Sequence, residues 1–380
     1  MLFPKSIAGK SSGALESIPF LPSTVRPSRF FSDSCRIIRE GCAMKNKRWV
    51  LQLSVMMGFL FFATSMGLAQ ESPFENGAFW KREDLFLHYR IWYPPIPQGK
   101  VLFIHGLGGS TFSWRHAPDF FLQAGYLVVT VDLPGFGYSQ RVVGTVHKPE
   151  NRARLLLEFL RYLDEEVLPE AVAEKKWCLV GHSLGGSTAF LVAMEEPERF
   201  QGVALIAPAL RNPAGRFFKI LTSFPPTRKC WIALIRNFFL APSRLKKSLQ
   251  VAYGRKVTTE EFEGYRKPLE LSGTARSLLS LVNNAASLKL SSFRGKFHPP
   301  FLLIWGEKDR VVPRRQGKRF REIFPDTPLR IIQGAFHCPM ETHPKDVYPV
   351  ILEFFATSTE KGSLPETRES WSDFQEAHRR

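Results

Sequence analysis

Cysteine is scarce in this 380-residue chain, and the motifs of cofactor and metal folds are missing. The five Cys stand at positions 35, 42, 178, 230 and 338 without a C-x-x-C pair, so neither a disulfide scaffold nor a zinc ribbon is expected. No P-loop is present, and the short glycine motifs at 106–108 and 135–137 lack the third glycine of a dinucleotide-binding fingerprint. We therefore expect no cofactor and no resident metal.

Long apolar runs are also scarce, and residues 49–69 form the one long stretch without a charge. This stretch follows a basic cluster that begins at Met44 and ends in the small residues Gly67 and Ala69. That order is typical of a secretory signal, which has a basic start, an apolar centre and a small-residue cleavage site. We interpret 44–69 as a signal peptide, or as a signal anchor if it stays uncut, and expect export to the periplasm or the medium.

A secretory signal normally lies at the amino terminus, which leaves residues 1–43 unexplained. We favour Met44 as the true start, with 1–43 a spurious or leader extension; the alternative is a transit peptide ahead of a membrane segment. At the other end, residues 359–380 are polar and lack apolar periodicity, which predicts a frayed tail.

Acidic residues are outnumbered, since 35 Asp and Glu stand against 52 Lys and Arg, a net charge of +17. Residues 211–298 hold 17 Lys and Arg against four Glu, so most of the excess lies in one segment. Such an excess suggests an anionic partner, either nucleic acid or phospholipid. An exported chain rarely meets nucleic acid and no nucleic-acid-binding motif is found, so we expect no such partner.

Short runs of Val, Ile and Leu alternate with helix-like stretches outside these segments. This alternation predicts an α/β fold with a mostly parallel sheet and helices on both faces. Helices are predicted at 152–167 and 187–196. Functional residues are expected where the strands end, because the carboxyl ends of parallel strands meet at one edge of the sheet. The predicted strands are residues 101–104, 126–131, 177–180, 202–206, 301–304 and 329–332.

Residues 181–185, Gly-His-Ser-Leu-Gly, match the G-x-S-x-G pattern of a nucleophile elbow. Ser183 lies between a predicted strand and a predicted helix, which is the strand–turn–helix order that the motif requires. A second match at 9–13 has no strand before it, so we regard it as accidental. The pattern indicates that Ser183 is a nucleophile.

A serine hydroxyl needs a base held by a carboxylate, and both follow later strands. Asp309 comes after the strand at 301–304, and His337 comes after the strand at 329–332. Glu307 is the alternative acid, since it lies in the same loop as Asp309.

An oxyanion that develops on a carbonyl substrate also needs donors, which backbone amides at a glycine-rich turn supply. The amides of Leu107, in the turn after the strand at 101–104, and of Leu184, next to the nucleophile, are the candidates. We expect His105 to hydrogen-bond this turn rather than face a substrate.

Four ordered motifs, at 105–108, 132–139, 181–185 and the loops of Asp309 and His337, together resemble the α/β-hydrolase superfamily in its lidded esterase and lipase branch. The resemblance runs from about residue 80 to 355. It implies a hydrolase core at 70–210 and 299–358, a basic helical cap at 211–298, and a structural role for the 132–139 loop.

The resemblance further implies a serine hydrolase that cleaves carboxylic esters through an acyl-enzyme, with Ser183 as nucleophile, His337 as base and Asp309 as acid. Haloalkane dehalogenases and epoxide hydrolases carry aspartate at the elbow and are disfavoured. Carbon–carbon bond hydrolases, thioesterases and cofactor-free haloperoxidases remain open, because residue types do not choose among them.

Two alternatives lie outside this chemistry, a metal site and a non-catalytic binding module. His337, Cys338, Glu341 and His343 form a cluster of metal-ligating types, but their spacing is not that of a zinc site. A non-catalytic binding module on the same fold is the other, although such a module would be expected to lack a triad residue.

Apolar pairs at 230–231, 234–235 and 238–239 recur at helical spacing inside the basic segment. Basic residues flank them: Arg228, Lys229, Arg236, Arg244, Lys246 and Lys247. The apolar face either packs onto the core or rests on an anionic membrane surface and admits lipid-like acyl substrates. The sequence leaves both readings open.

Overall fold

One eight-stranded sheet organises the part of the chain that the computed structural model describes, which is residues 71–83, 85–211, 222 and 225–361. The order across the sheet is β1-β2-β4-β3-β5-β6-β7-β8. Strands β1 and β2 run antiparallel to their neighbours, and all other pairings are parallel. The prediction of a mostly parallel sheet is confirmed. The strands are β1 (Gly77–Arg82), β2 (Leu85–Trp92), β3 (Gly99–Ile104), β4 (Tyr126–Val131), β5 (Trp177–His182), β6 (Phe200–Ile206), β7 (Phe301–Gly306) and β8 (Leu329–Ile332).

Helices cover both faces of this sheet. Alternate residues of β3 point to opposite faces, so Leu102 and Ile104 join one hydrophobic cluster while Val101 and Phe103 join the other. Because β3, β5 and β7 are buried along their whole length, their sequences are nearly continuous apolar runs. The helices are α1 (Ala117–Gln123), α2 (Pro149–Tyr162), α3 (Glu170–Ala173), α4 (Leu184–Glu195), α5 (Pro225–Leu234), α6 (Pro242–Tyr253), α7 (Thr259–Leu269), α8 (Thr274–Asn284), α9 (Arg315–Arg321), α10 (Pro339–Thr342) and α11 (Pro344–Lys361).

Helices α5 to α8 all lie between β6 and β7, within the segment 211–298, which we call the insertion. A π-helical turn, Ile235–Phe239, continues α5. Helix α7 begins at a capping box in which the side chains of Thr258 and Glu261 satisfy each other's backbone amides. The helical character expected for this segment is present, while its boundaries as a separate cap stay a prediction.

Several elements differ from the expectation. Strands β1 and β2 were not predicted, because polar and charged residues interrupt their sequences, GAFWKR and LFLHYRIW, so they lack a continuous apolar run. The helix predicted at 152–167 begins earlier, at Pro149, and finishes in a π-helical turn, Leu163–Val167. Helix α11 continues to Lys361, so the first residues of the predicted tail are helical rather than frayed.

The remaining predictions for the chain ends concern the extension 1–43, the signal 44–69, its cleavage after Ala69 and the tail beyond Lys361. All of them lie outside the described residues. Among the described helices, none is both long enough and apolar enough to cross a lipid bilayer.

Candidate active site

Ser183 occupies a sharp turn between β5, which ends at His182, and α4, which begins at Leu184. Its backbone has φ +52° and ψ −112°, a region that non-glycine residues rarely adopt and that costs free energy. Two hydrogen bonds hold this conformation: the amide of Ser183 donates to Ile206 O over 2.9 Å, and its carbonyl accepts from Ala209 N over 2.9 Å. The next strand therefore supports the strained serine.

Glycines on either side of Ser183 are required because backbone lies against them. A Cβ at Gly181 would collide with the carbonyl oxygen of Gly185, and a Cβ at Gly185 would collide with that of Ile104. Gly185 is thus the point where α4 approaches the end of β3, which brings the turn after β3 beside the serine.

His337 and Asp309 are joined by a hydrogen bond of 2.9 Å between Nδ1 and Oδ2. A carboxylate only accepts, so Nδ1 carries the proton and Nε2 is left free to act as a base. The other oxygen of Asp309, Oδ1, accepts from the amides of Val311 at 2.7 Å and Val312 at 3.0 Å. These bonds fix the carboxylate, which in turn orients the imidazole.

Glu307, the alternative acid, has a different partner. Its Oε2 accepts a hydrogen bond from the amide of Gly334 over 2.9 Å, which ties together the two loops that carry Asp309 and His337. The structure therefore pairs His337 with Asp309 and gives Glu307 a place in the support of the loops.

A cavity of about 590 Å³ opens beside Ser183 and His337. One wall is the glycine-rich turn 106–109, and the opposite wall comes from the insertion, with Leu245, Leu249 and Leu269 among its apolar side chains. Within the described residues no hydrogen bond joins Ser183 Oγ to the ring of His337. Such catalytic bonds are often loose in an empty site and tighten when substrate binds.

The two predicted oxyanion donors lie on either side of Ser183. Leu184 is the first residue of α4, so its amide has no acceptor within the helix and stands at the positive end of the helix dipole. Leu107 lines the cavity in the turn after β3, where Gly109 N donates to Gly106 O over 3.1 Å and Gly108 has a positive φ.

His105 braces this turn, as expected. Its Nδ1 donates to Gly106 O over 2.7 Å, and its Nε2 accepts from Leu133 N over 2.9 Å. Burial lowers the pKa of the ring, which keeps it neutral with both nitrogens used. The predicted structural role of His105 is confirmed.

A second imidazole, His182, lies directly against His337, with ring centroids 4.6 Å apart. Its Nε2 donates to the carbonyl oxygen of His337 over 2.9 Å. The pKa of His182 lies well below its ordinary value. Complete burial is the larger cause, and the neighbouring His337 is the second. His182 therefore supports the backbone of the candidate base as an uncharged donor.

Sequence reasoning did not find a buried polar cluster around Glu341. This carboxylate is fully buried and accepts hydrogen bonds from Tyr253 Oη at 2.5 Å, Tyr265 Oη at 2.6 Å and Arg115. Burial raises the pKa of Glu341, against the opposing charge of Arg115. Since Tyr253 ends α6 and Tyr265 lies in α7, the cluster fastens the insertion to the part of the chain that carries the sheet, close to His337.

The same contacts argue against the metal reading of residues 337–343. His337 uses Nδ1 on Asp309, and Glu341 uses its oxygens on Arg115 and the two tyrosines. Among the described residues, no group of three or more His, Cys, Asp and Glu side chains is arranged to hold a metal ion.

A second Ser–His–Asp chain lies away from the elbow. Ser72 Oγ is 2.9 Å from His88 Nε2, and His88 Nδ1 is 2.7 Å from Asp132 Oδ2. Asp132 also accepts from the amides of Thr111 and Tyr138, which holds the 132–139 loop in place. Burial would raise the pKa of Asp132, but the bond and charge of His88 lower it below its ordinary value. Ser72 does not lie on a strand–turn–helix elbow. These three residues therefore have the side chains of a catalytic triad but not the backbone turn of a nucleophile elbow.

Comparison with known proteins identifies the family to which the chain belongs. The family model of the alpha/beta hydrolase fold matches residues 100–344. The uncharacterized hydrolase YugF of Bacillus subtilis is 27% identical over 273 residues, which are 70% of this chain and 93% of the relative. A 2-hydroxy-6-oxononadienedioate/2-hydroxy-6-oxononatrienedioate hydrolase of Burkholderia vietnamiensis is 28% identical over 269 residues, 67% of this chain and 86% of the relative.

Solved structures show the same fold. A thermophilic esterase from Thermogutta terrifontis superposes with a TM-score of 0.57 at 21% identity, covering 72% of this chain and 94% of that chain. This chain belongs to the α/β-hydrolase fold family and is a hydrolase.

Proposed function

We propose that the protein is a serine hydrolase that cleaves carboxylic esters, with Ser183 as nucleophile, His337 as general base and Asp309 as orienting acid. One observation carries the proposal. Ser183, strained at the elbow, faces the same cavity as His337, whose Nδ1 is held by the buried carboxylate of Asp309. With Nδ1 held in this way, the imidazole of His337 has Nε2 available for the hydroxyl of Ser183 and for the substrate, as a general base requires.

In the first half of the reaction, Ser183 Oγ attacks the ester carbonyl while His337 Nε2 takes the hydroxyl proton. The negative charge on the tetrahedral oxygen is stabilised by the amides of Leu107 and Leu184, and the charge on the imidazolium is stabilised by Asp309. Collapse of the intermediate expels the alcohol, which leaves with the proton from His337. The acyl group stays on Ser183.

In the second half, a water molecule gives a proton to His337 and attacks the acyl-enzyme. The same oxyanion donors serve again, and the carboxylic acid leaves as Ser183 regains its proton. The reaction requires neither a cofactor nor a metal.

The cavity favours an apolar acyl group. Leucine side chains from α6 and α7 form its wall opposite the serine, together with Phe238 and Phe239. Burial of each methylene of an acyl chain contributes about 0.8 kcal/mol, so we expect kcat/KM to rise with acyl length until the wall is reached. The experiment is a series of p-nitrophenyl esters of increasing acyl length with the matching thioesters beside them. A burst of p-nitrophenol would indicate an acyl-enzyme.

Cleavage of a carbon–carbon bond is the second candidate, and a specific observation favours it. Several relatives are named as hydrolases of a dienedioate, a substrate with two carboxylates, and the cavity of this chain carries Arg244 and Lys247 on its wall. Under this alternative, Arg244→Gln would weaken turnover of a dicarboxylate substrate far more than turnover of a neutral ester. Activity on the dienedioate without activity on any ester or thioester would overturn the ester proposal.

We also propose that the chain is exported, on the strength of the signal-like order of residues 44–69. The mature enzyme would begin near Gln70. Ser72, two residues later, forms a hydrogen bond with His88 and would be retained. Retention of 49–69 would instead leave the same hydrolase anchored in a membrane.

A further inference from the structure

An exposed apolar surface lies on the insertion, formed by Leu234, Phe238, Phe239 and Val251; we call it the rim patch. Leu234 and the two phenylalanines come from the end of α5 and its π-helical turn, while Val251 comes from α6. Phe239 is 57% exposed and Val251 is 53% exposed. Of the predicted apolar face, Leu234, Phe238 and Phe239 are open to solvent, while Trp231 and Ile235 are half-buried.

Three members of the rim patch, Phe238, Phe239 and Val251, line the catalytic cavity. Eleven large hydrophobic side chains of the described residues are exposed, and five of them line this one cavity. The five are Leu107, Phe238, Phe239, Val251 and Val311. An apolar rim of this kind, continuous with a cavity that holds the nucleophile, is typical of a surface that meets an apolar partner.

Six cations lie on the helical elements that carry the rim patch. Arg228 and Lys229 lie on α5, Arg236 lies on its π-helical turn, and Arg244, Lys246 and Lys247 lie on α6. All six are exposed, and none forms an ion pair with a described residue. Arg244 lies over the ring of Phe238, with Cζ 4.3 Å from the centroid, so charge and aromatic surface are presented together.

This charge decides which partner fits. A second copy of the chain would bring the same six cations against the first, and like charges repel. A surface of anionic phospholipid offers headgroups to the cations and acyl chains to the aromatic side chains. A partner that is both negative and apolar is therefore favoured over self-association.

We propose that the rim patch docks on an anionic phospholipid bilayer, so that the catalytic cavity opens towards the membrane and receives acyl lipids from it. The inference rests on the proposed function for the identity of the substrate, but docking itself requires no chemistry at Ser183. The aromatic side chains enter the headgroup region, and the cations hold the insertion against the surface.

A fluorophore on Cys230 tests docking in the full chain. Cys230 is exposed on α5, one helical turn before Leu234, whereas Cys178 and Cys338 are buried. Cys35 and Cys42 lie outside the described residues and are replaced with Ser. The label is then directed to Cys230, which is the exposed cysteine among the described residues. An environment-sensitive label there is expected to shift to shorter wavelength with vesicles of phosphatidylcholine and phosphatidylglycerol in equal parts, and not with phosphatidylcholine alone. The shift should fade as salt is added, since salt screens surface charge.

Matched variants separate the rim patch from the rest of the chain, because the segment 49–69 is present in all of them. Phe238→Ser with Phe239→Ser should abolish the shift, while Phe297→Ser, at a site more exposed than either and outside the cavity lining, should leave it. Lys246→Glu with Lys247→Glu should weaken partitioning by more than about 30-fold, since the loss of two cations near the surface removes about 2 kcal/mol and the two new carboxylates are repelled by the anionic surface. Lys289→Glu with Lys296→Glu is the charge-matched control and should have little effect.

Three outcomes would overturn docking: no shift at low salt, an equal shift with neutral vesicles, or equal losses in the matched controls. If sedimentation shows a dimer that the phenylalanine variants disrupt, the rim patch is an interface with a second copy of the chain. Ser183→Ala should keep the shift. Hydrolysis of soluble esters without a shift would overturn docking alone, while a shift without any ester hydrolysis would overturn the proposed function alone.

Discussion

The amide of His337 donates a hydrogen bond of 2.9 Å to the carbonyl oxygen of Ala252. Ala252 belongs to α6 of the insertion, and the amide of Cys338 approaches the same oxygen at 3.3 Å. The candidate base is therefore held by the core through Asp309 and by the insertion through its backbone. A displacement of α6 would move the imidazole as well as the cavity wall.

Ser183 is expected to be the serine that a fluorophosphonate probe labels, because only a hydroxyl with a base and oxyanion donors attacks phosphorus quickly. Ser183→Ala should abolish labelling and lower kcat by several orders of magnitude. Mass spectrometry of the labelled peptide checks the site. Ser72→Ala is the matched control, since Ser72 also bonds a His–Asp pair, and should retain labelling. Labelling that survives Ser183→Ala would contradict the mechanism.

Asp309→Asn should lower kcat by roughly 10⁴-fold, because the amide cannot hold His337 in the required tautomer. Glu307→Gln keeps an acceptor for the amide of Gly334 and should cost far less. Steady-state kinetics on one p-nitrophenyl ester compares the two variants. A larger loss in Glu307→Gln would show that the acid has been assigned wrongly.

Glu341→Gln should destabilise the protein by up to about 3–5 kcal/mol, because it leaves the largely buried charge of Arg115 with only its longer ion pair to Glu261, at 3.5 Å. Urea denaturation measures the change. We also expect KM to rise, since the cluster fastens α6 and α7 beside the cavity. Glu263→Gln removes an exposed ion pair with Arg266 on α7 and should change neither quantity appreciably. Equal effects of the two variants would refute a fastening role for Glu341.

Stability is expected to fall as the pH is lowered from 7 to 5.5. Burial lowers the pKa values of His105 and His182, so these rings stay neutral in the native state and take up protons when the chain unfolds below their ordinary pKa of about 6.5. The unfolded state then binds more protons, and each ring contributes a slope of up to about 1.4 kcal/mol per pH unit. Urea denaturation of His182→Asn should show a shallower slope than the parent chain. An unchanged slope would mean that His182 is protonated in the native state.

The proposed export predicts a mature amino terminus near Gln70. Mass spectrometry of the protein isolated from its native cells checks this, with peptides from 71–361 as the internal standard. Peptides from 1–43 would contradict the Met44 start, and an intact 49–69 would indicate an anchor.

The sequence determined the strands and the elbow because both depend on neighbouring residues. Strands β3 to β8 carry short runs rich in Val, Ile and Leu and could be located, even though β8 is only partly buried, whereas polar and aromatic residues interrupt β1 and β2. Ser183 needs a strand before it, a helix after it and glycines beside it, and all of these are local features.

Contacts between distant segments were decided only by the tertiary structure. Asp309 and Glu307 are two residues apart in one loop. The folded backbone places the carboxylate of Asp309 at His337 and that of Glu307 at the amide of Gly334. Glu341 looked like a metal ligand in the sequence because its partners, Tyr265, Tyr253 and Arg115, are 76, 88 and 226 residues away. The helical spacing of Phe238 shows which face of the helix is apolar, but not what lies opposite that face. Periodicity records the direction of a side chain from its own axis, and only the packing of other elements decides whether that side chain is buried.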